Sequence, residues 1–151
     1  MISKLLKIVG IGLCAVTLMA QEAPKHRVLV SGTSQNQTQI QNLLDGIQKH
    51  LSDVGVNAKV MDAGSKGRSE MLDQIGPSGA ESMIWITLDI APGQRDSAKV
   101  QCFDSKGTKL WEEQWTAGLF SITAAGEIKS IIKDMSVKLD KRIGTPGLPK
   151  G

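Results

Sequence analysis

The chain has 151 residues, 40% apolar and 22% charged, the composition of one globular domain. Three Trp, two Phe and no Tyr are too few for the aromatic platforms that bind single-stranded nucleic acid. Two Cys exclude a disulfide framework, and two His exclude a histidine-rich metal centre.

Residues 1–20, MISKLLKIVGIGLCAVTLMA, set Lys4 and Lys7 before an uncharged apolar run from Ile8 to Ala20; polar Gln21, Glu22 and then Pro24 follow. This is the pattern of a secretory signal peptide, shorter than the roughly 20 apolar residues of a spanning helix. Cleavage is expected after Ala20, giving a periplasmic or secreted chain. Leu13 fills the place before Cys14 where lipoprotein signals carry a small residue, so no lipid anchor is expected. Cleavage removes two lysines and no acid, leaving 16 basic against 15 acidic residues, a balance of +1. A nearly neutral chain has no electrostatic case for holding nucleic acid or anionic lipid. Cys102 then stands alone, and its alternation with Ala98 and Val100 points it inward as an inert thiol.

Residues 21–27 form a polar, flexible lead-in, and Val28, Leu29 and Val30 open a strand buried on both faces. Ser34 with Gln37 has the form of a capping box. Ile40, Leu43, Leu44, Ile47, Leu51 and Val54 then make one stripe at the helical period, closed by Gly55. Alternating Val56, Ala58 and Val60 predict a second strand, parallel to the first. AGSKGRS reads as a loop, and Met71, Leu72 and Ile75 as a short helix stopped by Gly76 and Pro77. SMIWITLDI is apolar on both faces and predicts a central strand.

AKVQCF and TKLWEEQWT form a hairpin across Asp104–Gly107. Trp111 and Trp115 share one face of its second arm, while Leu110, Glu112 and Gln114 face the other way, marking an edge strand. Thr123 is placed to cap a last helix whose stripe is Ile128, Ile131, Ile132, Met135, Leu139 and Ile143, with Lys138, Lys141 and Arg142 at its carboxy end. TPGLPKG, residues 144–151 with Gly144, reads as a disordered tail. The order β-α-β-α-β-β-β-α over residues 28–143 predicts a single α/β (α+β) domain, helices packed on one mixed sheet.

No constellation carries a motif of chemistry. The loop SGTSQNQ (Ser31, Gly32, Thr33, Ser34) lies where α/β sheets bind ligands, and Lys66 and Arg68 sit at the equivalent end of the second strand. An anion site shared by the two is one reading; helix capping and a solvated connection is the other. His26 and His50 have no metal-ligand spacing around them, and Asp89, Asp96 and Asp104 border strands and turns that favour Asp without catalysis. No catalytic residue, cofactor or metal is assigned. If Trp111 and Trp115 face the helices they are core; if they face outward, Trp111, Glu113 and Trp115 on an edge strand form a partner contact.

The layout resembles the small extracytoplasmic α/β domain shared by the TolB amino-terminal domain, CsgG and LpoB. The resemblance is carried by RVLVSG, LLDGIQKHLSDVG, NAKVMDA, the small-small-acidic step Gly79, Ala80, Glu81 before SMIWITL, and the hairpin FDSKGTKLWEE. It covers residues 27–143, without the propeller of TolB or strands long enough for the pore of CsgG. It implies a domain that works by contacting other envelope components, by fold-level analogy. The expectation is therefore an exported, non-enzymatic protein acting on an envelope protein partner through strand 108–116. The alternative is a small-ligand or anion binder, or minor hydrolase, using loops 31–37 and 63–69.

Overall fold

The computed structural model describes residues 27–90, 93–117 and 124–150. The signal segment, most of the lead-in, His26 and the Thr123 cap lie outside these residues. Strand β1 (Val28–Ser34) lies between β2 (Ala58–Val60) and β3 (Ser82–Asp89) and is parallel to both; β4 (Ser97–Asp104) and β5 (Lys109–Thr116) continue antiparallel, giving the order β2-β1-β3-β4-β5. Helices α1 (Gln37–Asp53), α2 (Arg68–Leu72) and α3 (Ala124–Asp140) complete the expected order of one α/β domain.

The two long helices share one face of the sheet. Ile40, Leu43, Leu44, Ile47 and Leu51 of α1 are buried there with Ile131, Met135 and Leu139 of α3, over Val30, Ile84, Ile86 and Val100. Burial of each such side chain is worth about 1.5–3 kcal/mol, so the stripes hold the helices down. They meet at Gly46, where an added Cβ would lie 2.4 Å from Ile132 Cδ1. Gly55 ends the first helix at φ +93°, a conformation glycine adopts freely. Among the described residues the other sheet face is covered only in part: α2, five residues and about 7.5 Å long, packs Met71 with Ile75 on Leu29, Met83, Trp85 and Phe103.

Three expectations are corrected. The cap of α1 is Asn36, whose side chain accepts from the Gln39 amide at 3.0 Å, because β1 pairs with β3 through Ser34 and keeps that residue extended. Arg27 belongs to the fold and not to the lead-in: its amide donates to Asn57 O, its carbonyl accepts from the Glu81 amide, and its guanidinium pairs with the Glu81 carboxylate, which it holds below the usual range. The tail, finally, is docked. The Ser82 hydroxyl donates to Gly147 O at 2.6 Å, Gly144 N donates to Leu148 O at 2.8 Å, and Leu148 is fully buried in the main core. One leucine among Pro and Gly has no period to betray it. Leu148→Ala is expected to cost about 2–4 kcal/mol by urea denaturation, the loss of a buried leucine, where a free tail would lose nothing.

Candidate functional site

The β4–β5 hairpin turns as expected: the Asp104 carboxylate accepts from the Lys106 and Thr108 amides at 2.9 and 3.0 Å, and Gly107 takes φ +86°. The register sets Trp115 opposite Ala98, Glu113 opposite Val100 and Trp111 opposite Cys102, on the face covered by the helices. The small Ala98 and Cys102 leave room for two indoles. Trp111 and Trp115 are accordingly 7% and 9% exposed. The Trp115 indole N–H donates to Asp134 at 2.8 Å, and the Arg142 guanidinium lies 5.2 Å over the Trp111 ring while gripping Glu113 at 2.6 and 2.9 Å. The trio Trp111, Glu113 and Trp115 is therefore committed to the core and its rim, and the tryptophans are not available as surface anchors. Leu110 is also corrected: a register shift between Cys102 and Phe103 lets it pack on the main core beside the tail. Cys102 is buried as expected, and burial first, then Asp104, pushes its thiol up to about 12.

The opposite face of β5 carries a polar network. Arg68 is not in a loop but opens α2, its guanidinium 5.3 Å over the Phe103 ring and donating to Gln101 Oε1 at 3.3 Å. The Gln101 amide donates to Glu112 Oε1 at 3.0 Å, Lys109 Nζ to the same oxygen at 3.3 Å, and Gln114 to Oε2 at 2.8 Å. Hydrogen bonds from Gln114 and Gln101, then Lys109, hold the Glu112 carboxyl down at about 2, below its ordinary 4.5. A carboxylate held down in the folded state contributes stability above its unfolded value, and that contribution is lost as the pH falls. Glu112→Gln should therefore lower the urea midpoint at neutral pH and flatten its fall between about pH 4.5 and about 2; an unchanged acid profile would contradict the network.

The six residues of the candidate anion site do not come together. Ser31 is buried with its hydroxyl on Met61 O at 2.6 Å, Gly32 is packed on the Ile86 backbone, and Lys66 is exposed in the turn after β2. Arg68 is committed to Gln101. What remains of the first loop forms a different hollow. The chain runs from β1 over one sheet face to β2, then over the other to β3 on the far side of β1. The carboxyl ends of β1 and β3 thus make a topological switch point, where α/β sheets open a crevice. Thr33, Ser34, Gln35, Thr87, Leu88 and Asp89 line it around about 350 Å³. Gln35 is fixed there, donating to Asp89 Oδ1 at 2.6 Å and accepting from the Ile90 amide at 3.0 Å. A smaller hollow of about 190 Å³ shares Thr87 and Asp89 and runs on to Ser97, Lys99, Gln114 and Thr116. Sequence places the Thr33–Gln35 side of this crevice at the carboxyl end of the first strand, but not the Thr87–Asp89 side, which depends on which side of β1 the third strand takes.

His50 joins the two long helices, its Nε2 2.7 Å from Asp140 Oδ1. Among the described residues no group of three or more His, Cys, Asp or Glu is placed to hold a metal ion, and no helix is long and apolar enough to cross a membrane.

No family model matches the chain, and no curated protein matches it. Solved structures do. A leucine-to-methionine variant of the PelC dodecamer from Paraburkholderia phytofirmans is similar at 15% identity, over 76% of this chain and 89% of that one, with a TM-score of 0.50. TolB from Acinetobacter baumannii is similar at 13% identity, over 78% of this chain and 30% of that one, with a TM-score of 0.41. At 15% identity the likeness to PelC is one of fold alone.

Proposed function

We propose that this chain is an exported, non-enzymatic α/β domain that acts by protein contact as an accessory to cell-envelope assembly or transport, in the manner of the TolB amino-terminal, CsgG and LpoB type. The observation that supports the reading is the condition of β5. It is an edge strand of eight residues, its aromatic face is buried, and its other face turns Gln114 and Thr116 out beside a sheet half that α2 does not cover. An edge of this kind, one side polar and one side locked, can take a partner's strand or loop without exposing apolar surface. The signal pattern of residues 1–20 supports an envelope location. The contact therefore moves from the tryptophans to their neighbours on the same strand.

A photo-reactive residue placed at Gln114 or Thr116 in living cells tests this. The reading expects a discrete adduct with an envelope protein from those positions and none from Gln41 on the exposed side of α1. Equal labelling from all three, or none from any, would remove the contact, and recovery of an unprocessed chain from the cytoplasm would remove the location.

A further inference from the structure

The half of the sheet that α2 leaves uncovered is ordered in rows. Register places Thr33, Thr87, Lys99 and Gln114 side by side across four strands, and Asp89, Ser97 and Thr116 in the row beyond. The switch-point crevice lies at the β1–β3 end of these rows and continues into the hollow that Lys99 borders. From this arrangement we propose that the crevice binds a small neutral polyhydroxyl ligand of the saccharide class.

The choice follows from what the lining offers. Among the described residues the crevice between β1 and β3 is lined by the Asp89 carboxylate and by no Lys or Arg, which opposes phosphates and carboxylates. Lys99 in the adjoining hollow opposes a cation in turn. A carboxylate only accepts and an ammonium only donates, whereas threonine and serine hydroxyls do both. A ligand whose every hydroxyl can donate and accept satisfies all of these groups together. Gln35 donates to Asp89 Oδ1 and is itself held by the Ile90 amide, so the carboxylate is oriented before any ligand arrives. The site is open and shallow, which sets the expected affinity in the millimolar range, about 1 mM or weaker.

The test is an amide NMR titration of the processed full chain with glucose, N-acetylglucosamine and cellobiose, and separately with inorganic phosphate and with spermidine. The expected result is saturable movement of the Thr33, Ser34, Thr87 and Asp89 amides with at least one saccharide. Asp89→Asn should weaken that saccharide about tenfold or more, the scale of one lost charged hydrogen bond. Thr33→Val, at an exposed position that leaves the core alone, should weaken it severalfold and serves if the Asp89 variant fails to fold. No saturable movement at these amides with any saccharide up to about 50 mM, far above the expected affinity, would overturn the proposal. So would movement produced by phosphate or spermidine instead, or saccharide affinity unchanged in the folded variants. None of these results bears on the adducts from Gln114, so this site and the protein contact fail or stand separately.

Discussion

Gly32→Ala is expected to destabilise the protein by about 3 kcal/mol or more, enough to consume much of the margin of an ordinary domain. An added Cβ at Gly32 would lie 2.2 Å from the Ile86 carbonyl oxygen, its register partner on β3, and 3.2 Å from Ile40 Cδ1. Ile86 O is backbone in the middle of the central strand. It moves only if β1 and β3 separate, which breaks the ladder on which both cores are built. Gly46 makes the contrast. There the obstruction is the Ile132 side chain, Cδ1 at 2.4 Å and Cγ1 at 2.9 Å, which a small shift between the helices relieves without parting a strand pair, and alanine gains about 1 kcal/mol of helix propensity. Gly46→Ala should fall within about 1 kcal/mol of the parent in urea denaturation, the propensity gain offsetting the crowding. Equal stabilities for the two variants would show that the β1–β3 spacing is not as described.

Trp115→Ala should cost about 3–5 kcal/mol, as for a buried aromatic truncated in a core, and should leave the Asp134 carboxylate without its indole partner. Thr116→Ala, one residue away on the opposite face and exposed, should stay within about 0.5 kcal/mol, the usual range of surface substitutions. Thermal and urea melts of the pair decide which face of β5 the core owns. If Trp115→Ala melted with the parent, the strand would be turned the other way and its tryptophans would return as contact residues.

The elements were legible where the signal is local. The stripes of α1 and α3, the doubly apolar β3, the Gly55 cap and the Asp104–Gly107 turn each rest on residues close in sequence. What was hidden rests on distant partners. Ser34, Asn36 and Gln37 are all competent at a helix start, and only pairing with β3 decides that Ser34 stays in the strand. Leu148 is one apolar residue without a period, and its burial needs the chain to return beneath Ser82 and Cys102. Arg68 reads as a free loop cation until α2 sets it over Phe103. The inward turn of Trp111 and Trp115 could have been read from Ala98 and Cys102, the small residues that the hairpin register sets opposite them.

The central claim is that β5 buries its tryptophans and presents its polar face beside a half of the sheet that α2 does not cover. Residue-resolved covalent labelling of the native chain, read by mass spectrometry, measures both at once. The account predicts that Lys99 acylates at a rate close to that of exposed Lys66, while Trp111 and Trp115 resist oxidation until the protein unfolds. Native oxidation of either tryptophan at its unfolded rate, with Lys99 protected, would contradict it.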